Sequence, residues 1–220
     1  MPDANNNNNL PLHGCIIWMH GLGADASDMA GLSEQAPIAR LGLTHVFLDA
    51  PVRQVTINAG MRMRAWYDIV GMELTDREDK AGISQSQAQI LEVIDAQMKA
   101  GFRAEEIFLA GFSQGGAMAL YTAIHSNLPL GGIISLSAYL PMARECKPVL
   151  QKSTPIFMGF GQYDQIVIPE FTQVTKQWLT SAGYNQITLK QYPMEHSICG
   201  EEIMDVANWL SIQLRGDRAA

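Results

Sequence analysis

Serine chemistry is indicated by one short motif in the middle of the chain. The run Gly111-Phe112-Ser113-Gln114-Gly115 follows an apolar stretch of strand type and precedes a helix-forming stretch. A serine hydroxyl is a weak nucleophile at neutral pH, and a sharp strand-to-helix turn exposes it to a base. Glycines on both sides permit that turn because they let strand and helix backbones approach closely. Such a string arises by chance in roughly one chain in ten of this length, so the flanking elements carry the specificity.

A nucleophilic serine needs a histidine base, and the chain has five histidines. His196 follows an apolar run of strand type, at the end of the strand where open α/β sheets place their ligands. His13 and His45 come before or at the start of strands, which is the wrong edge, and His125 ends the helix after the serine. His20 closes the first strand at the functional edge but precedes the serine, so a role in orienting the next loop is favoured for it. The base is therefore expected to be His196.

The base in turn needs a carboxylate that orients it. Asp164 follows another apolar strand and gives the order Ser, Asp, His that is typical of α/β-hydrolases. Asp49 and Asp68 precede the serine and break that order. Glu195 adjoins the histidine, where the backbone tends to point the two side chains apart. The structural alternative for Asp164 is an Asx-turn residue.

A tetrahedral intermediate also needs N–H donors for its oxyanion, one of them from the residue after the nucleophile. Gln114 supplies the first donor. The loop at residues 20–23 follows the first strand, and its glycines let the Leu22 N–H point inward. The alternative is that these glycines only form a tight turn. A phosphate-binding loop is not favoured, because neither Gly-x-Gly-x-x-Gly nor a lysine-bearing P-loop follows.

These residues require a sheet that brings strand ends together. Short apolar runs alternate with segments of helical period, which predicts an α/β fold with a mostly parallel sheet and helices on both faces. The predicted strands cover residues 14–20, 44–49, 107–111, 132–137, 155–159 and 187–192. The predicted helices cover residues 25–41, 84–99, 114–125, 169–182 and 200–214. Residues 51–82 read as a long irregular connection, and such connections in compact domains are usually functional.

Composition limits the remaining possibilities. At 220 residues one domain is expected, at 12–215, between flexible tails at 1–11 and 216–220. A formal charge of −7 gives no support to nucleic-acid binding, and no apolar run is long enough to span a bilayer. Three widely spaced cysteines match neither a disulfide framework nor a metal site. With no secretory signal visible, a cytoplasmic protein with reduced thiols is expected.

Taken together, the motifs resemble those of the phospholipase/carboxylesterase family, which includes small carboxylesterases and acyl-protein thioesterases. The resemblance extends over about residues 12 to 212. It is carried by Trp18-Met19-His20-Gly21-Leu22-Gly23-Ala24-Asp25, Ala50-Pro51, Trp66-Tyr67-Asp68-Ile69, Gly111-Phe112-Ser113-Gln114-Gly115-Gly116, Gly161-Gln162-Tyr163-Asp164 and Tyr192-Pro193-Met194-Glu195-His196. Two positions depart from the common pattern, because Glu195 stands where members often have glycine and Phe160 where they often have histidine. Neither departure removes a catalytic part.

The resemblance implies an α/β-hydrolase without a large lid domain, with Ser113, Asp164 and His196 as the triad and Leu22 and Gln114 as oxyanion donors. It implies hydrolysis of short- to medium-chain acyl esters and, in some members, of thioesters or lysophospholipids, so acylated proteins are possible substrates. No metal or organic cofactor is implied, and relatives suggest a monomer or weak homodimer. An inert α/β-hydrolase receptor is the alternative of another class. The acyl group needs an apolar slot near the serine, and the irregular segment offers these candidate substrate-binding residues: Trp66, Ile69, Val70, Met72 and Leu74.

Overall fold

The computed structural model describes residues 12–71 and 77–216. Their strands are β1 (Cys15–Met19), β2 (Thr44–Leu48), β3 (Val52–Val55), β4 (Met61–Arg64), β5 (Ile107–Phe112), β6 (Gly132–Leu136), β7 (Ile156–Gly161) and β8 (Ile187–Tyr192). Six of them form one sheet in the order β2-β1-β5-β6-β7-β8, in which every neighbouring pair is parallel. All six predicted strands are confirmed. Strands β3 and β4 form a separate antiparallel hairpin.

The helices are α1 (Ala26–Ser33), α2 (Ala36–Ala39), α3 (Lys80–Lys99), α4 (Gln114–Ile124), α5 (Pro169–Ser181) and α6 (Gly200–Gly216). A single helix at 25–41 was wrong, because Pro37 stands in the first turn of α2 and cannot continue a preceding helix. Helix α3 begins at Lys80, four residues before the predicted start, because the Asp79 side chain caps it by accepting from the Gly82 N–H.

The segment at 51–82 is also more regular than expected. It contains the β3–β4 hairpin, whose turn places Ala59 and Gly60 at positive φ. Both strands have only four residues, and half of these residues are exposed, so the strands lack the buried apolar pattern of the central strands of the main sheet.

The four central strands of the main sheet, β1, β5, β6 and β7, are buried on both faces, as near-continuous apolar strands require. On one face, alternate side chains such as Ile17 pack with α3, α4 and α5, and on the other, side chains such as Trp18 pack with α1, α2 and α6. The α/β prediction with helices on both faces is therefore confirmed. Within the described residues no further helix or strand forms a lid domain.

Parallel pairing places the carboxyl ends of all six strands at one edge. The segments that follow β1, β5, β7 and β8 carry residues 20–23, Ser113, Asp164 and His196. The tails expected at 1–11 and 216–220 lie outside the described residues, except that α6 extends to Gly216.

Candidate functional site

Ser113 stands between β5 and α4 in a backbone conformation that L residues rarely adopt. Its φ is 54° and its ψ is −121°. The Ser113 N–H donates to the Leu136 carbonyl at 2.8 Å, which fixes the turn against the end of β6. Such strain persists only where the surroundings hold it, and it clusters at functional sites. The strained turn directs the Ser113 side chain away from the sheet.

The two glycines of the motif are required by contact between backbones. A Cβ on Gly111 would lie 2.3 Å from the Gly115 carbonyl carbon. A Cβ on Gly115 would lie 2.1 Å from the Met19 carbonyl oxygen at the end of β1. No side chain fits at either position, so α4 can pack directly on the strands that carry the nucleophile and the 20–23 loop.

His196 lies between the other two residues of the predicted triad. Its Nε2 is 2.9 Å from Ser113 Oγ, and its Nδ1 is 2.7 Å from Asp164 Oδ2. The imidazole packs on the Phe112 ring at a centroid distance of 4.8 Å, and 13% of the side chain is exposed. The structure therefore brings together all three residues that the sequence selected.

Asp164 is fully buried and uses both carboxylate oxygens. While Oδ2 faces His196, Oδ1 accepts from the N–H groups of Ile166 and Val167, each at 2.9 Å. The bond to the Ile166 N–H forms an Asx turn. Asp164 therefore both forms the turn that the sequence offered as an alternative and faces the histidine. The turn fixes the direction of the oxygen that faces the imidazole.

Two of the three rejected carboxylates have other partners. Asp49 accepts from the Ala26 N–H at 3.0 Å and pairs with Arg64 at 3.1 Å. Asp68 accepts from Thr56 through the backbone N–H at 2.7 Å and the hydroxyl at 2.6 Å. Glu195 is exposed. In the described structure, none of the three carboxylates forms a hydrogen bond or ion pair with the His196 side chain, whose partners are Asp164 and Ser113.

The 20–23 loop lies directly against the nucleophile turn. A Cβ on Gly21 would be 3.5 Å from the Ser113 Cβ, so the two loops are in contact. The loop is held on its far side by the Gly23 N–H, which donates to the Arg64 carbonyl at 2.9 Å. Across residues 12–71 and 77–216, the N–H groups of Leu22 and Gln114 donate no hydrogen bond to protein, which leaves both available to an oxyanion.

His20 orients this loop, as its position before the serine predicted. It is fully buried; its Nδ1–H donates to the Gly21 carbonyl at 2.7 Å and its Nε2 accepts from the Ala50 N–H at 3.0 Å. Both ring nitrogens are therefore used inside the protein, and His20 has no free nitrogen with which to act as a base.

Trp66 was expected to line the acyl slot, and the structure gives it a different position. Its side chain is fully buried, and its indole N–H donates to the His20 carbonyl at 2.9 Å. The indole is therefore closed off from a substrate in this structure and supports the 20–23 loop. An aromatic residue in a segment read as irregular carried no sequence signal that separated these two roles.

The other proposed slot residues are placed only in part. Ile69 and Val70 are half-buried, and Ile69 packs against the core cluster on its face of the sheet. Met72 and Leu74 lie outside the described residues.

A cavity of about 460 Å³ lies at the same edge of the sheet, between α5 and the segment after β6. Its apolar walls include Leu140, Ala143, Phe171, Val174 and Trp178, and none of the three triad residues lines it. Its volume falls in the range of small-molecule sites. The sequence did not predict this cavity, because its walls come from three separate stretches of chain.

Two polar groups of the cavity tie it to its surroundings. Tyr139 Oη is 3.1 Å from Tyr67 Oη, in the residue after Trp66. Glu78 Oε1 accepts from the Met142 N–H at 2.7 Å, and partial burial raises the pKa of this carboxyl. The Leu136 carbonyl accepts from the Ser113 N–H at 2.8 Å, and three residues span at most about 11 Å. The Tyr139 backbone therefore lies within about 14 Å of the Ser113 backbone nitrogen.

The described residues contain no group of three or more His, Cys, Asp or Glu side chains arranged to hold a metal ion. No helix among them is long and apolar enough to cross a membrane.

Comparison with known proteins gives likenesses that cover nearly the whole chain. A family model described as phospholipase/carboxylesterase matches residues 5–214. The chain is similar to acyl-protein thioesterase 1 of Neurospora crassa, at 37% identity over 90% of this chain and 86% of the relative. Acyl-protein thioesterase 1 of Yarrowia lipolytica is 32% identical over 91% of this chain and 92% of that protein. The crystal structure of Arabidopsis thaliana SOBER1 matches with a TM-score of 0.85 and 28% identity, covering 92% and 99% of the two chains.

Proposed function

This chain belongs to the phospholipase/carboxylesterase family of α/β-hydrolases, and from that premise we propose that Ser113, His196 and Asp164 cleave short- to medium-chain acyl esters through an acyl-serine intermediate. Membership makes the protein a hydrolase of carboxylic esters. The observation that carries the residue assignment is the chain of hydrogen bonds from Asp164 through His196 to Ser113, at 2.7 and 2.9 Å.

Acylation begins when Ser113 Oγ attacks the ester carbonyl carbon and His196 Nε2 takes the hydroxyl proton. Asp164 accepts from Nδ1–H, so it holds the tautomer in which Nε2 is free and stabilises the imidazolium that forms. The negative charge that develops on the carbonyl oxygen is met by the N–H groups of Leu22 and Gln114. The tetrahedral intermediate then collapses, and His196 passes the proton to the departing alcohol or thiol.

Deacylation repeats these steps with water as the nucleophile. His196 Nε2 takes a proton from the water that attacks the acyl-serine carbonyl, and the same two N–H groups meet the second oxyanion. The proton returns to Ser113 Oγ when the acid leaves. The protein's own groups therefore supply each proton transfer in the cycle.

The decisive experiment measures p-nitrophenyl butyrate hydrolysis by the wild type and by Ser113→Ala. The variant is expected to lose several orders of magnitude in kcat, because no other nucleophile is activated at this position. Ser153→Ala is the matched control, since Ser153 is exposed and lies before β7, at the opposite edge of the sheet. Full activity of Ser113→Ala, in protein free of contaminating esterase, would contradict the assignment. A fluorophosphonate probe should label the wild type and not the variant, which also separates an esterase from an inert receptor.

Hydrolysis of thioesters that join acyl chains to proteins is the second candidate. It is favoured by the relatives, since both fungal proteins described above are named acyl-protein thioesterase 1. The same triad serves either bond, because the leaving group alone changes from an alcohol to a thiol. Ester and thioester substrates of matched acyl length separate the two candidates: a kcat/KM at least about tenfold higher for the thioester identifies a thioesterase. Lysophospholipids with the same acyl chain test the third substrate class that the resemblance implied.

We place the acyl chain in the cavity beside Tyr139, with Ile69 and Val70 as part of the approach to it. Support comes from the apolar walls, from the distance of about 14 Å or less between the Tyr139 backbone and Ser113, and from Glu78, which lines the cavity and ends the segment carrying the other proposed slot residues.

The proposal includes a cytoplasmic location, supported by three free cysteines, and a monomer or weak homodimer. Cell fractionation and sedimentation velocity test these two points.

A further inference from the structure

We propose that the Gln114 side chain is a positioning residue that couples the nucleophile turn to the 20–23 loop and thereby sets the spacing of the two oxyanion donors. The inference rests on the proposed function, since it concerns how the oxyanion site of the same hydrolase is assembled. It gives Gln114 a second task beside its backbone N–H.

The first link joins Gln114 to the segment after β4. The residue is 3% exposed, and both halves of its amide are used. Oε1 accepts from the Trp66 N–H at 2.8 Å, and Nε2 donates to the Tyr67 carbonyl at 2.7 Å. Because one bond needs an acceptor and the other a donor, these contacts fix the orientation of the amide as well as its position.

The second link joins that segment to the oxyanion loop. The Trp66 indole N–H donates to the His20 carbonyl at 2.9 Å, and the two rings pack at a centroid distance of 5.5 Å. His20 stands two residues before Leu22, and its side chain holds the Gly21 carbonyl at 2.7 Å. A continuous path therefore runs from the residue after the nucleophile, through Trp66 and His20, to the residue that offers the other N–H.

The nucleophile turn and the 20–23 loop are also in direct contact, so neither can move without displacing the other. A Cβ on Gly115 would lie 2.6 Å from the His20 carbonyl oxygen, the same oxygen that Trp66 holds. Oxyanion donors act within about 2.7–3.1 Å of the charged oxygen, so a shift of a few tenths of an ångström in one loop weakens the site. Without the Gln114 amide, the Trp66 N–H and the Tyr67 carbonyl are left without these partners, and the backbone that carries the indole is held less firmly.

The first test separates positioning from simple stability. Gln114→Ala is expected to lower kcat by about 10- to 100-fold with KM within about threefold, because the lost interaction matters mainly in the transition state. The inhibition constant of a trifluoromethyl ketone, whose adduct carries an oxyanion, should rise by the same factor as kcat/KM falls. Trp66→Phe removes the indole N–H together with part of the buried ring and leaves the backbone bond to Gln114 in place, so it should lower kcat in the same way and remains informative if the alanine variant folds poorly.

The double variant tests the path itself. If Gln114 and Trp66 act through one route, Gln114→Ala combined with Trp66→Phe should be no worse than about threefold below Gln114→Ala alone. Losses in kcat that multiply would overturn the coupling. An unchanged kcat and ketone affinity in both single variants would overturn the proposal as a whole.

The pH dependence of Gln114→Glu gives a signature that a structural role does not predict. One carboxyl oxygen can still accept from the Trp66 N–H, but the other faces the Tyr67 carbonyl and can bond to it only when protonated. The ratio of variant to wild-type kcat should therefore rise at least about tenfold as the pH falls from about 9 to about 6, since burial raises the pKa of such a carboxyl. If the new carboxylate acted only through its charge, it would raise the pKa of His196, and the ratio would fall as the pH falls. Gln186→Glu, exposed at the opposite edge of the sheet, is the control and should give a flat ratio.

The outcomes distinguish this inference from the proposed function. Wild-type protein without Ser113-dependent hydrolysis would remove the function and the inference together. Normal hydrolysis with a flat Gln114→Glu ratio would remove the inference and leave the triad assignment standing.

Discussion

Replacing Asp164 by asparagine should disable the enzyme while preserving its fold, and the hydrogen bonds of this residue show why. Oδ1 accepts from two backbone N–H groups at 2.9 Å, those of Ile166 and Val167, whereas Oδ2 accepts from His196 Nδ1 at 2.7 Å. An asparagine has a single acceptor oxygen. The two N–H groups require that oxygen on their side, so the amide NH2 is forced to face the imidazole.

The size of the effect follows from this choice. Turning the amide the other way leaves two buried N–H groups without an acceptor, at a cost of about 1–3 kcal/mol each. The favoured orientation of the amide is thus more stable than the other by about 2–6 kcal/mol. In this orientation the amide NH2 donates to His196 Nδ1, so the proton of the imidazole must be on Nε2. In that tautomer His196 cannot take the Ser113 proton, and the imidazolium also loses its carboxylate. We expect kcat to fall about 10⁴-fold, the scale of the same change in another serine hydrolase, which corresponds to about 5.5 kcal/mol of transition-state stabilisation.

The assay combines p-nitrophenyl butyrate kinetics with thermal unfolding. Asp164→Asn should keep a melting temperature close to that of the wild type, because the bonds to Ile166 and Val167 remain. Asp164→Ala removes the acceptor for both N–H groups, so it should lower the free energy of unfolding by about 2–6 kcal/mol and the melting temperature by roughly 4–24 °C. An Asp164→Asn protein that kept about a tenth or more of wild-type kcat would refute the tautomer argument. An Asp164→Ala protein as stable as the wild type would refute the bond assignment.

Three further predictions concern packing, chain length and pH. Gly115→Ala should lower the free energy of unfolding by about 3 kcal/mol or more in chemical denaturation, because the new Cβ would lie 2.1 Å from a β1 carbonyl oxygen. Gly200→Ala is the control and should have a much smaller effect, because a Cβ there would have no atom within 4 Å. Ala143→Trp fills the cavity wall and should lower kcat/KM for dodecanoyl esters at least about tenfold more than for butyryl esters; equal losses would place the acyl chain elsewhere. Burial raises the pKa of the Glu202 carboxyl from 4.5 to about 8, so the folded state keeps a proton that the unfolded chain releases, and stability falls as the pH rises through this window. Urea unfolding from pH 5 to 8 should show a slope of up to about 1.4 kcal/mol per pH unit in the wild type and in the exposed control Glu201→Gln, and a smaller slope in Glu202→Gln.

The sequence contained enough to predict the strands of the main sheet and the meeting of the triad residues. Strands that are buried on both faces read as continuous apolar runs, and parallel pairing forces their carboxyl ends to one edge. Ser113 was selected by its motif, and Asp164 and His196 were selected by their positions after strands and by the order of the three residues along the chain. The β3–β4 hairpin escaped prediction because its short, exposed strands carry no such pattern.

The residues that support the site could not be predicted in the same way. The buried state of Trp66 and the use of both amide groups of Gln114 arise from contact between segments nearly fifty positions apart. No local pattern marks such a contact, since tryptophan and glutamine serve equally well at a surface or in a groove. The cavity beside Tyr139 has the same origin, because its walls come from α5, the segment after β6 and Glu78.

From the contacts at the two ends of residues 69–78 we propose that chain-length selectivity can change without a change in the chemistry. The Asp68 N–H donates to Asp79 Oδ2 at 2.9 Å, so the two ends of this segment are joined to each other. Glu78 in turn accepts from the Met142 N–H at 2.7 Å, which ties the same end to the cavity wall. Neither anchor includes a residue of the triad or of the 20–23 loop. Substitutions between the anchors should therefore alter the KM for long acyl chains while the kcat for a butyryl ester, set by the rigid edge of the sheet, stays the same.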